Sequence, residues 1–267
     1  MSKRRIDLLL VEQNLADTPE QANALLMAGK VMVNQQIITH SGMKVDSKAK
    51  IGVKAKKPYV SRGGYKLAAA LDVFNVDPAN AVCADVGAST GGFTDILLQR
   101  GAKKVYALDV GYGILAWKLR QDPRVIAMER TNARKVENLP EKISLAVIDT
   151  SFISLKLILP AVLKWIEPRA TIIALIKPQF EAAKEKVGKG GVVRDRTIHA
   201  EVIYELIAWC KMRNLAVLNL IVSPITGPAG NREFLLHLNA DSKQTSPDAS
   251  LLVENCLQQL TYQVERG

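Results

Sequence analysis

The stretch Val82-Cys83-Ala84-Asp85-Val86-Gly87-Ala88-Ser89-Thr90-Gly91-Gly92-Phe93 decides how the rest of the chain is read. An apolar run ends in a glycine-rich turn, which gives way to a helical pattern over Gly92–Arg100 and then to a strand, Lys104–Asp109, that ends in an acid. Glycines at the carboxyl end of a strand let a ligand approach the backbone, and an acid about 20 residues further on suits ribose hydroxyls. The turn is not the dinucleotide fingerprint Gly-x-Gly-x-x-Gly, because Ser89 stands where the middle glycine lets a pyrophosphate pass. The spacing Asp85-x-Gly87-x-x-x-Gly91-Gly92 suits a nucleoside without a diphosphate, such as S-adenosylmethionine. Its sulfonium and amino groups favour an acidic neighbour, which Asp85 supplies. A plainer reading stays open: the glycines make only a tight strand-to-helix turn, and Asp109 caps the segment that follows.

Working outward, strand and helix patterns alternate from residue 59 to 267. Helices are expected at Tyr65–Phe74, Ile114–Arg120, Leu155–Trp165, Thr197–Arg213 and Leu251–Val264, and strands at Val125–Glu129, Leu145–Asp149, Thr171–Lys177, Ala216–Val222 and Glu233–Leu238. The strands are continuously apolar, which predicts a parallel sheet buried on both faces and hence a doubly wound α/β unit. In such a sheet the ligand crevice lies outside the carboxyl ends of the strands. Asp149 and Lys177 each close an apolar strand, and Pro178 fixes where the second one stops. Lys66, after Ser61-Arg62-Gly63-Gly64, and Glu233, after a Gly/Pro-rich loop, are further candidates. Each has an ordinary alternative: Asp149 caps Ser151–Leu155, Lys177 and Glu233 make one salt bridge, and Lys66 is a solvated helix lysine.

Residues 1–58 read differently. A short helix at Ile6–Leu15 is followed by a well-punctuated one, with Thr18 as N-cap, Pro19 at the first helical position, Gln21 completing a capping box and Gly29 as the stop. Three short strands follow, Val31–Val33, Gln36–Ile38 and Ile51–Val53, and Lys54-Ala55-Lys56-Lys57-Pro58 reads as a basic linker. The first 60 residues hold ten Lys/Arg against five Asp/Glu, half of the chain's net charge of +10 over 267 residues. That density implies a polyanionic partner, a nucleic acid or an anionic membrane surface. Lys3, Arg4, Arg5, Lys30 and Lys44 are the candidate phosphate contacts.

The composition, 48% hydrophobic and 23% charged, is that of a globular protein. Three scattered cysteines and three scattered histidines predict neither a disulfide framework nor a metal site. The most apolar run, Ala170–Ile176, is far too short to span a bilayer, and Met1–Arg5 leads into Asp7 and Glu12 rather than into a signal-peptide apolar stretch. A cytoplasmic protein that does not enter membranes is expected.

Several further segments carry a resemblance. They are Ser61-Arg62-Gly63-Gly64-Tyr65-Lys66-Leu67, the Asp85–Thr94 turn, Asp109-Val110-Gly111-Tyr112-Gly113, Arg130-Thr131-Asn132-Ala133-Arg134, Ser151-Phe152-Ile153-Ser154, Lys177-Pro178-Gln179-Phe180-Glu181 and Gly190-Gly191-Val192-Val193. In this order they resemble, over nearly the full chain, the TlyA or hemolysin A family of ribosomal RNA 2′-O-methyltransferases. The resemblance implies a small N-terminal S4-type α+β RNA-binding domain (1–58) and a Rossmann-like, FtsJ-like methyltransferase domain (59–267). It also implies S-adenosylmethionine as methyl donor, a cytidine 2′-hydroxyl of ribosomal RNA as acceptor, and a catalytic tetrad at Lys66, Asp149, Lys177 and Glu233. The implied cofactor residues are Asp85, Gly87, Ser89, Thr90, Gly91, Gly92, Phe93, Asp109, Val110 and Asn132. Lys177 is expected to act as general base or as the cation that stabilises the developing alkoxide, with Asp149 and Glu233 orienting it and Lys66 holding the ribose and phosphate. Arg62 is expected to bridge the RNA grip and the site, and the basic loop Lys184–Arg196 to be mobile enough to close over RNA. Competing readings are an RNA-binding assembly factor with a vestigial enzyme domain, a membrane-active hemolysin, and an S4-fused pseudouridine synthase, for which the Asp85–Gly92 turn has no job.

Overall fold

The structure is a computed structural model that describes residues 3–54, 58–241 and 244–264. The chain folds as two units, residues 1–58 and 59–267. Ala55, Lys56 and Lys57 of the expected linker lie outside the described residues.

The first unit runs β1 (Lys3–Arg5), α1 (Ile6–Glu12), α2 (Pro19–Met27), β2 (Val31–Val33), β3 (Gln36–Ile38), β4 (Lys44–Asp46) and β5 (Ile51–Val53). The α2 cap forms as its residues dictate: Thr18 Oγ1 accepts from the Gln21 N–H at 3.2 Å, while Gln21 Oε1 accepts from the Asp17 N–H at 2.6 Å. β2 and β3 are joined by Asn34-Gln35, both with positive φ, the twist a two-residue hairpin needs. β2 sits between β3 and β5 in one antiparallel sheet, and β1 pairs with β4 in a second. Ile6, Leu9, Leu10, Leu26 and Val31 form its core. β1 and β4 are not expected from the sequence, since Lys3-Arg4-Arg5 carries no alternation and Lys44-Val45-Asp46 holds a single apolar residue; α1 also stops at Glu12, three residues short of Leu15.

The second unit begins with α3 (Gly63–Phe74) and continues through β6 (Val82–Val86), α4 (Gly92–Gln99), β7 (Lys104–Leu108), α5 (Trp117–Arg120), β8 (Val125–Met128) and β9 (Ile143–Ile148). It ends with α6 (Leu155–Trp165), β10 (Ile166–Ile176), α7 (Pro178–Glu181), α8 (Arg196–Lys211), β11 (Ala216–Val222), β12 (Phe234–Asn239) and α9 (Ala249–Val264). One seven-stranded sheet has the order β11-β12-β10-β9-β6-β7-β8. Successive residues of the central strands feed opposite cores: Ala84, Val86, Ala146 and Ile148 pack with α6, α8 and α9, while Cys83, Leu145 and Val147 pack with α3 and α4. Burial on both faces is why these strands read as unbroken apolar runs.

The expectation of a wholly parallel sheet is corrected at one strand. β12 runs antiparallel to both β10 and β11, inserted between them. The register pairs Ile176 with Phe234, so the residue after β10 and the residue before β12 leave the sheet at the same edge.

Candidate active site

The turn after β6 is held by backbone and carboxylate together. The N–H groups of Gly87 and Ala88 both donate to the Leu108 carbonyl, at 2.9 and 3.0 Å. Asp109, just past β7, accepts from the Ser89 N–H at 2.8 Å and from the Gly111 N–H at 2.7 Å, stitching two neighbouring loops at the strand ends. Gly87 has φ +87° and lies so close to β9 that a Cβ would stand 2.5 Å from the Asp149 carbonyl oxygen, so no side chain fits there.

Asp85 does not sit where the sequence reading put it. Its side chain is fully buried beneath the turn and is not on the wall of either cavity; one oxygen accepts from the Thr94 N–H and hydroxyl, at 2.8 and 2.7 Å. Burial pushes its carboxyl up to about 7, against the Thr94 hydrogen bonds and with the charges of Asp149 and Asp109 adding to the rise. Asp85 thus ties β6 to the start of α4 through one oxygen, while its other oxygen is buried without a hydrogen-bond partner. Gly91 has φ +93°, and a Cβ there would meet the side chains of Leu119 and Leu115 at 2.2 and 2.8 Å.

Two cavities of about 410 Å³ each open at the carboxyl ends of the strands. They share Gly87, Ser89, Asp149 and Ser151 as common wall. One is lined also by Thr90, Gly92, Phe93, Arg62, Lys66, Lys177 and Glu233, the other by Asp109, Val110, Asn132, Thr150, Phe152 and Ile153. Asn132 additionally caps the turn Ala133–Lys135 by accepting from the Arg134 N–H at 3.1 Å. Arg62 donates to the Thr226 carbonyl at 2.9 Å, within the second unit.

The four tetrad residues meet in the first cavity, as two ion pairs. Lys66 Nζ lies 2.6 Å from Glu233 Oε2, and Lys177 Nζ lies 2.6 Å from Asp149 Oδ1 and 3.0 Å from Ser151 Oγ. Three ordinary alternatives are thereby excluded. Lys66 is buried rather than solvated, because it flanks the buried stripe Leu67, Ala70, Leu71 and Phe74 of α3. Glu233 serves Lys66, not Lys177, so the single Lys177–Glu233 bridge and the joint orientation of Lys177 by both carboxylates give way to two separate pairs. Asp149 does not cap the next helix; Ser154 does, accepting from the Lys156 N–H at 3.1 Å.

Four residues without an assigned role in the sequence reading support this arrangement. Ser151 contacts Lys177 directly, and its place two residues past a strand-end acid was the available signal. Glu181 accepts from Ser154 Oγ and the Leu155 N–H at 2.6 and 2.7 Å. Asn231 is buried, accepts from the Val193 N–H at 3.0 Å and donates to the Gly191 carbonyl at 2.9 Å. His199, whose pKa is lowered by burial, also holds the Val193 carbonyl, at 2.9 Å. The Lys184–Arg196 loop is therefore pinned at Gly191–Val193, with Val192 and Val193 buried, and is not free along its length as expected.

In the first unit Arg4 pairs with Glu12, and Arg5 with Asp7 at 2.7 Å, so these two cations are partly committed inside the molecule. Among the described residues, Lys3, Lys30 and Lys44 form no ion pair. Among the described residues no helix is long and apolar enough to cross a membrane.

Comparison with known proteins agrees with this picture. Residues 59–240 match the model for FtsJ-like methyltransferases, and residues 4–51 match the S4 domain. The 16S/23S rRNA (cytidine-2′-O)-methyltransferase TlyA of Mycobacterium tuberculosis is 41% identical over 247 residues, 91% of this chain and 92% of that protein. YqxC of Bacillus subtilis, provisionally named an rRNA methyltransferase, is 49% identical over 244 residues, 89% of this chain and 86% of that one. A solved structure from Streptococcus thermophilus with a provisional hemolysin title superposes with TM-score 0.76 at 43% identity, covering 100% of this chain and 98% of that one. By its matched domains and by these relatives, the chain belongs to the FtsJ-like methyltransferase family, in the group that includes TlyA.

Proposed function

We propose that this chain methylates the 2′-hydroxyl of a cytidine ribose in ribosomal RNA, that it acts in the cytoplasm, and that Lys66, Asp149, Lys177 and Glu233 are its catalytic residues. The observation that carries this reading is the pair of buried ion pairs, Lys66–Glu233 and Lys177–Asp149, on the wall of a cavity that adjoins the glycine turn. The residues present fit S-adenosylmethionine: the hydroxyl of Thr150 is buried without a partner, and Thr150 lines, with Asp109 and Asn132, the cavity beside the glycine turn. When bound, that cofactor supplies an electrophilic methyl group on a sulfonium. Asp109, Val110, Asn132 and Thr150 would hold its adenosine, and Gly87, Ser89 and Thr90 its amino-acid end, along the wall that the two cavities share.

Methyl transfer needs the acceptor oxygen in line with the methyl carbon and sulfur, so positioning supplies much of the rate. Lys177, fixed by Asp149 and Ser151, aligns the 2′-oxygen and stabilises the negative charge that builds on it as its proton passes to water. Lys66, fixed by Glu233, holds the ribose and the adjoining phosphate. Lys3, Lys30 and Lys44 grip RNA through phosphates, which position without reading sequence.

The test is transfer of labelled methyl from S-adenosylmethionine to ribosomal RNA and to intact ribosomal subunits, wild type beside Lys177→Ala, with nuclease mapping of the product. Label on a cytidine ribose that disappears in the variant is the expected result. Absence of label with wild-type protein that binds the cofactor, or full transfer by Lys177→Ala, would overturn the reading.

A further inference from the structure

The turn Thr150–Ser154 hangs between two fixed points. At one end Asp149 and Ser151 hold Lys177 Nζ at 2.6 and 3.0 Å. At the other, Ser154 Oγ caps α6 by accepting from the Lys156 N–H, which leaves the serine's own proton and the Leu155 N–H to be satisfied. Both go to Glu181, to Oε2 at 2.6 Å and to Oε1 at 2.7 Å. First-turn N–H groups have no partner inside their helix and lie at its positive end, so a carboxylate there is doubly favoured. Burial raises the Glu181 pKa, and among the described residues this carboxylate forms no ion pair. It works as a hydrogen-bond acceptor rather than as a counter-charge.

Lys177 and Glu181 stand at the two ends of the single turn α7, which opens on Pro178 with its fixed φ. Between the two grips Phe152 has φ +63°, a left-handed conformation that is strained for a residue with a Cβ. Its side chain is almost wholly exposed, so burial does little to offset that cost. The turn keeps its shape because both ends are held. We propose that Glu181 is a positioning residue for methyl transfer: by clamping Ser154 and Leu155 it fixes the strained turn that carries Ser151, and so sets where Lys177 Nζ lies. This rests on the methyl-transfer reading above.

The test compares Glu181→Ala with Glu181→Gln in the full chain. Gln keeps an acceptor for the Leu155 N–H and a polar partner for Ser154. Glu181→Ala is expected to lower kcat on the order of 10²-fold, the scale of a small misplacement of a catalytic group, with the KM for RNA unchanged and kcat restored by Gln. Hydrogen exchange of the segment 150–157 is expected to speed up in Ala and not in Gln. Wild-type kcat in Glu181→Ala despite faster exchange would overturn the positioning role alone. Unchanged exchange in Ala, or equal losses of kcat in Ala and Gln, would overturn the clamp. A wild type that transfers no methyl group would overturn the reaction reading itself, and the role with it.

Discussion

A Cβ on Gly227 would stand 2.7 Å from Oε1 of Glu233, so the loop before β12 leans directly on the carboxylate that receives Lys66. Gly227 has no positive φ, and Ala there meets no backbone objection; its effect passes through the side chain of Glu233. The carboxylate has little room to yield, being buried and paired. Gly227→Ala is expected to lower kcat about tenfold or more while leaving cofactor affinity within about threefold, since misplacement acts on the transition state more than on binding. Steady-state kinetics with cofactor titration would check it, and unchanged kcat would show that Glu233 moves freely.

Lys66→Met leaves Glu233 buried and uncompensated, and a loss of about 3–5 kcal/mol of stability is expected. The double variant Lys66→Met/Glu233→Leu should recover most of that loss, because two charges are then removed from a poorly solvated site. It should still fail to transfer methyl. Urea unfolding of wild type and both variants measures this, and a Lys66→Met variant as stable as wild type would show the pair to be well solvated.

The Asp85 carboxyl ionises near 7 in the folded chain, against 3.8 for its ordinary value. The unfolded chain therefore gives up this proton first, and the folded state loses stability as pH rises through that window. Asp85→Asn keeps an acceptor for Thr94 and removes the titration. The variant's stability relative to wild type should increase with pH by about 1.4 kcal/mol per unit between the two values and then level off. Unfolding at pH 5 and pH 8 decides it; a constant difference would mean that Asp85 ionises normally.

Neutralising Lys30 or Lys44 should weaken RNA binding and reduce the slope of log affinity against log salt by about 0.7–0.9 for each phosphate left without its cation. Arg4→Ala should change the slope less, because its charge is already shared with Glu12. Filter binding across a salt series reads both, and equal slopes for all variants would place the RNA grip elsewhere.

The sequence made some features plain and hid others for physical reasons. β6 and α6 were legible to the residue, the first as an apolar run stopped by glycine and the second by its helical apolar pattern, although its cap, Ser154, was not identified from the sequence. Asp149 and Lys177 were legible as neighbours, because strand ends in an open α/β sheet converge. Which lysine pairs with which carboxylate was not legible: that depends on β12 running backwards, and a buried apolar strand reads the same in either direction. Glu181 was hidden for another reason. A carboxylate in a four-residue helix looks like surface until the donors of α6 are found waiting for it.

The reversed β12 also sets an order in time. Residues 66, 149 and 177 leave the ribosome well before Glu233, and until β12 arrives β11 has no strand of the sheet to pair with. A nascent chain that has made the glycine turn, Asp149 and Lys177 already has one ion pair within reach, while Lys66 has no acid to meet. Completion of the sheet and completion of the tetrad are thus a single late event, and a chain cut short before residue 233 has neither.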